Sequence, residues 1–238
     1  MSNWLLEDTV DDRAVRRSVM AADAFTTRGG STEAAGSQPD AVAIRLRDLV
    51  VHNNRKWFDL VKGADVRIDA LIVQGNILTE NPEAAYTPTT LRFPDVGDGD
   101  TLTPDPLLVY YGWPRHFLDL AVLVSRDRQD SDDLASLLTS TLDGPDVRQA
   151  IAGLAPLALA APQAAAVVAG LQAARVLADV AYRTVKAACG STIGFYRGSH
   201  LAYPERFGRG RNPADGLYHA NHMSFWYDIV NAGDEPAA

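Results

Sequence analysis

Between Asp65 and Ile72 the chain alternates: Val66, Ile68, Ala70 and Ile72 are apolar, and Asp65, Arg67 and Asp69 between them are charged. A two-residue period sends successive side chains to opposite faces of an extended chain, so this segment predicts a β-strand with one buried and one wet face. The same texture recurs in AVAIRLRDLVVH, TTLRF, LLVYYGW and FLDLAVLVS, divided by Pro and Asp/Gly clusters that read as turns. Nothing of helix length intervenes between residues 41 and 125. That pattern disfavours alternating β/α units and predicts an antiparallel β-sandwich.

Helix then interrupts the sheet. SDDLASLLTSTL opens with Ser131 and two acids, a capping signature, and carries an apolar stripe at Leu134, Leu137, Leu138 and Leu142. An alanine-rich stretch follows, with Pro156 and Pro162 as breaks, before strand texture resumes in STIGFYRGSHL and in the long aromatic segment GLYHANHMSFWYDIV. The predicted fold class is therefore mainly β with an α insertion: a sandwich with an Ala-rich helical hairpin, spanning 131–188, inserted before its last two strands. Residues 41–238 form this domain. Residues 1–40 read as an appendage, with a short helix over 8–25 (stripe Val10, Val15, Val19, Ala22) and a Gly/Ser/Thr-rich linker.

Ala150–Ala174 carries no formal charge and has the length to cross a bilayer core of about 30 Å. Two prolines and the weak insertion energy of alanine favour instead two helices turning at Ala161-Pro162-Gln163, packed on one side of the sandwich. An interface with another chain and conditional membrane insertion are the alternatives. MSNWLLEDTVDD is acidic and too briefly apolar for an export signal, so the expected location is the cytoplasm, with peripheral attachment to a membrane as a variant.

The net charge of −8, from 22 basic and 30 acidic residues among 238, argues against a nucleic-acid partner, whose phosphates demand many cations. The cations are 19 Arg and 3 Lys, a bias that reads as bacterial-type genome composition. The single cysteine, Cys189, excludes an intrachain disulfide.

Acids fall at informative spacing. Asp59 and Asp65 lie six apart just ahead of a strand, and Asp127 and Asp133 lie six apart just after one. Carboxylates from two loops at one end of a sandwich supply the oxygens that Ca²⁺ requires. Asp95, Asp98 and Asp100 offer more, although acidic turns also arise for backbone reasons alone. Over residues 42–135 the arrangement resembles the C2 family of calcium- and phospholipid-binding β-sandwiches, with Ser125 where that family's third loop carries its first aspartate. The resemblance implies a C2-like sandwich, Ca²⁺ at Asp59, Asp65, Asp127 and Asp133, and a phospholipid surface as partner.

A second cluster is cationic. RGSHLAYPERFGRGRNPADG places Arg197, Arg206, Arg209 and Arg211 among glycines, and a guanidinium fork matches phosphate or carboxylate. Tyr203 and Phe207 would be apolar inserts if lipid were the target, and pairing of these arginines with the chain's own acids is the structural alternative. His219 and His222, three apart in an extended strand, point to opposite faces and make a poor metal pair. Cys189 with His200, His219 or His222 would make a nucleophile and base only if the chain brings them together.

The leading functional expectation is a non-enzymatic binding or regulatory module for a protein partner or oligomer, lipid head group or Ca²⁺. A membrane-active hairpin is the second reading, and a small hydrolase using Cys189 the third.

Overall fold

The computed structural model describes residues 41–54, 63–75, 86–128, 130–142, 144, 163–202, 206–210 and 217–231. The appendage 1–40 and the first two residues of the proposed Ala161-Pro162-Gln163 turn lie outside these residues.

Among the described residues eight strands form two antiparallel four-stranded sheets. In chain order they are β1 (Val42–Val51), β2 (Ala64–Gln74), β3 (Tyr86–Val96), β4 (Leu107–Gly112), β5 (Phe117–Arg126), β6 (Thr192–Leu201), β7 (Tyr218–Ala220) and β8 (Met223–Asn231). One sheet has the order β3-β2-β5-β6, the other β4-β1-β8-β7. Among the described residues two α-helices, α1 (Leu134–Leu142) and α2 (Gln163–Ala188), fall between β5 and β6. The mainly-β sandwich with a helical insertion is therefore the observed architecture.

The alternation on β2 explains the layering. Val66, Ile68, Ala70 and Ile72 face the other sheet, where Leu118, Leu120, Val122 and Val124 of β5 meet Ile44, Leu46, Phe225 and Tyr227. Leu71 and Val73 face the other way, into a second core with Phe117, Ala121, Leu123, Leu134, Leu138, Leu171, Leu177 and Tyr182. The chain thus stacks three layers, helices on sheet on sheet.

This second core corrects the expectation of a wet face on β2. Arg67 and Asp69 are buried at 0% and 2% exposure, because α1 and α2 cover the side that the charge pattern marked for solvent. α2 runs for 26 residues from Gln163 to Ala188. Gly170 lets it lie close on the sheet: a Cβ there would sit 2.5 Å from Cε1 of Phe117. On α1, Asp133 rather than Ser131 supplies the first carbonyl, accepting from Leu137 N at 3.0 Å.

The terminal aromatic segment, expected as one strand, is a hairpin. Ala220 pairs with Met223 across a two-residue turn, Asn221-His222, and Asn221 takes φ 51°, a left-handed conformation that Asn tolerates. The helical insertion consequently precedes three strands.

Candidate functional site

The loop acids do gather at one end of the sandwich. Asp127 N donates to the Asp65 carbonyl at 2.7 Å, which joins the exits of β5 and β2. An arginine, however, holds their carboxylates together. Arg92 of β3 donates through Nε to Asp127 at 2.9 Å, through Nη1 to Asp133, and through Nη2 to the Ser131 carbonyl at 2.7 Å. Asp127 also accepts from the Ser131 hydroxyl. Asp65 accepts from Asp95 N at 3.2 Å. A guanidinium therefore takes the place between Asp127 and Asp133 where a cation was expected. Among the described residues no three His, Cys, Asp or Glu side chains are grouped so as to hold a metal ion. Asp59 lies outside the described residues.

Behind these acids lies a buried network. Arg67 donates to Asp69 through Nε at 2.7 Å and Nη2 at 2.6 Å, and through Nη1 to Ser131 Oγ and the Asp132 carbonyl, each at 2.9 Å. Thr90 Oγ1 donates to Asp69 at 2.7 Å and accepts from Leu134 N at 2.8 Å, which caps α1 from β3. Burial pushes the Asp69 carboxyl above its ordinary value, against the lowering pull of Arg67.

The arginine loop divides. Arg197 belongs to β6 and is a buried strut: it donates to Asp119 of β5 through Nε at 2.9 Å and Nη2 at 2.6 Å, and to the Leu171 carbonyl of α2 at 3.2 Å. The Ser199 hydroxyl donates to the same carboxylate. Its expected ligand role gives way to joining two strands to a helix. Phe207, expected as a lipid insert, packs into the inter-sheet core at 6% exposure. Arg206 is exposed, and the Arg209 guanidinium lies 5.7 Å from the Phe207 ring centroid. Both Arg206 (φ 48°) and Phe207 (φ 59°) hold left-handed backbone, a strained pair. Tyr203 and Arg211 lie outside the described residues.

The cysteine and histidines sit on several elements, although Cys189 and His222 border the same open pocket. Cys189 is 1% exposed in the helix-covered core, and burial pushes its thiol up, opposite to the activation a nucleophile needs. His200 faces the inter-sheet side, with Nε2 2.7 Å from Tyr227 Oη, which is 3.1 Å from Tyr196 Oη. His219 stacks on His52 with centroids 6.5 Å apart. His222 sits in the β7–β8 turn, where its amide donates to the Ile193 carbonyl at 3.1 Å and its carbonyl accepts from His52 N at 2.7 Å.

Sequence reasoning missed the most exposed large apolar residues among those described. β4 is an edge strand, and an irregularity between Ile44 and Arg45 of β1 puts Leu108 opposite Arg45 and Tyr110 opposite Ile44. Val109 is the extra residue. With Val109 and Tyr110 both buried, Leu108 and Tyr111 are both left outward, 56% and 55% exposed. Trp113, 49% exposed, packs edge-on against Tyr111 with centroids 5.5 Å apart. The signal was the uncharged run LLVYYGW, which alternation alone cannot assign to a face.

Among the described residues, no helix is long and apolar enough to cross a membrane. Comparison with known proteins finds no matching family model, no matching curated protein and no matching solved structure.

Proposed function

We propose that this chain is a non-catalytic protein-interaction module, and that β4 is its docking edge. The observation that carries the reading is the exposed patch formed by Leu108 and Tyr111 on an edge strand and by Trp113 just beyond its end. Edge strands invite pairing, and soluble proteins ordinarily blunt them with charge, proline or shortness. β3 carries Pro88, Arg92 and Pro94, β6 carries Arg197, and β7 is three residues long. β4, LLVYYG, has neither charge nor proline.

The partner that fits is an extended segment of another protein, uncharged along the pairing edge and apolar where it meets Leu108 and Tyr111, added to the sheet as a further strand. A module rather than a hydrolase is supported by the buried, unactivated thiol of Cys189. The polar side chains of β2, β5 and β6 that face the helices are likewise largely occupied with one another. A C2-like kinship draws support from the sandwich outline, and Ca²⁺ or lipid recognition from the loop acids and arginines. The Ca²⁺ reading is weakened by Arg92, which already spans Asp127 and Asp133.

The test compares the intact chain with a Leu108→Lys/Tyr111→Lys variant, both immobilised and exposed to extract of the source cells. Proteins retained by the intact chain and lost from the variant, with melting temperature unchanged, support the reading. Identical retention on both overturns it.

A further inference from the structure

β4 itself has the features asked of its partner: LLVYYG is extended, uncharged, and apolar at Leu108 and Tyr111. Whether a strand can pair with a copy of itself depends on its facing pattern, because residues directly opposite in an antiparallel pair point to the same face of the sheet. A regular six-residue strand cannot do so over its full length, since its first residue faces in and its last faces out.

The irregularity between Ile44 and Arg45 changes this for β4. Leu107, Tyr110 and Gly112 lie opposite Leu46, Ile44 and Val42, whose side chains fill the inter-sheet core, and Val109 joins that core. Leu108 and Tyr111, opposite Arg45 and Ala43, face outward. From Leu107 to Gly112 the order is in, out, in, in, out, in, which reads the same from either end.

We infer that the segment β4 takes up is the β4 of a second copy of this chain, the two strands running antiparallel about a two-fold axis between Val109 and Tyr110. The inference rests on the reading of β4 as a docking edge. In this register Leu108 lies opposite the partner's Tyr111 and, by symmetry, Tyr111 opposite the partner's Leu108, so both exposed side chains are covered on one face. It is the register that matches faces at all six positions. The two sheets β4-β1-β8-β7 then join into one of eight strands.

The flanks of the strand agree. Trp113 falls opposite the partner's Pro106, and Pro106 and Pro114 limit the seam, because proline has no N–H to give. The nearest charges along the chain are the exposed Asp105 before the strand and the exposed Arg115 after it. Antiparallel pairing carries the acid of each copy toward the arginine end of the other, whereas parallel pairing sets acid beside acid. The Val109 carbonyl accepts from Thr89 Oγ1 of β3 at 3.3 Å, so the centre of the edge is tied to the other sheet and the residues on either side carry the seam. Six residues a side make a small interface, which gives a reversible dimer.

The experiment is sedimentation equilibrium of the full chain over about 1–300 µM, a range suited to a small interface. The expected result is a mass that rises with concentration from one chain toward two. Leu108→Lys/Tyr111→Lys, with melting temperature unchanged at the lowest concentration, should weaken association at least about tenfold, since like charges then meet across the seam. Register is read by cross-linking with diamide. Leu108→Cys/Tyr111→Cys should give a disulfide-linked dimer, because opposite Cβ atoms lie about 5 Å apart. Leu108→Cys or Tyr111→Cys alone should cross-link no faster than the parent, since identical positions are three residues out of register, about 10 Å, beyond disulfide reach. A single-chain mass throughout, a dimer that the lysine variant keeps, or single variants that cross-link as fast as the double overturns the inference. A single-chain mass together with extract proteins still lost from the lysine variant overturns only the second copy as occupant and leaves β4 a docking edge.

Discussion

Arg67 donates twice to the carboxylate of Asp69, two residues along the same strand, and neither side chain is more than 2% exposed. The pair is closed off by Thr90, Ser131 and the first turn of α1, and apart from Asp127, 3.8 Å from Arg67 Nη1, each charge depends on the other. Removing one partner strands a buried charge, which costs about 3–5 kcal/mol, whereas replacing both with apolar residues of similar volume is often neutral. Asp69→Asn should therefore lower stability in urea unfolding by that order. The double variant Arg67→Met/Asp69→Leu should recover most of it. A single variant as stable as the parent would show that the ion pair contributes little.

The same pair marks where the sequence was readable and where it was not. Period two on β2 identified the strand and its inner face correctly, because Val66, Ile68 and Ile72 needed a second sheet to cover them. The outer face misled because opposite charges two apart on a strand look solvated whether water or each other satisfies them. The missing cue was the insertion itself: two apolar helices between β5 and β6 must bury their stripes on some surface, and the outer face of β2 and β5 was the one left. The acid spacing likewise brought Asp65 and Asp127 to one end. It carried no trace of Arg92, which reaches Asp127 and Asp133 from a strand more than thirty residues away.

Arg92 as an internal cation gives a metal prediction. With its guanidinium between Asp127 and Asp133, excess Ca²⁺ should leave the melting temperature of the intact chain unchanged. Arg92→Ala leaves two carboxylates facing each other and should melt lower, with part of the loss restored by Ca²⁺, since bound ligand adds stability by mass action. A shift of the intact chain by Ca²⁺ would place a working site elsewhere, with Asp59 as its first suspect.

Cys189 should be slow to react. Thiolate is the nucleophilic form, and burial both raises the thiol and excludes reagent. Alkylation by iodoacetamide at pH 8 should run at least about tenfold slower in the native chain than in guanidinium, since it must await local opening. Equal rates would return the hydrolase reading to consideration.

Gly170 tests the contact between helix layer and sheet. Alanine usually stabilises a helix interior relative to glycine by about 1 kcal/mol, but here the added methyl meets the Phe117 ring. Overpacking costs about 1–3 kcal/mol, so Gly170→Ala should be net destabilising by urea unfolding, and Gly170→Ala/Phe117→Leu should regain part of the loss. A stabilised single variant would mean that α2 shifts freely over β5.

Asp179 of α2 supplies a pH dependence. It is half-buried, and burial pushes its carboxyl above the ordinary value of 3.8 even though Arg175, Arg197 and Arg183 pull the other way. Between 3.8 and that raised value the folded chain holds more protons at this position than the unfolded chain. Its contribution to stability is therefore greatest in acid and declines as pH rises through the window, then stays level. Asp179→Asn cannot ionise and escapes that decline. Its melting temperature minus that of the parent should be least favourable near pH 3.5 and should rise to a plateau by neutral pH. A difference that instead falls with pH would mean that attraction to the three arginines outweighs burial.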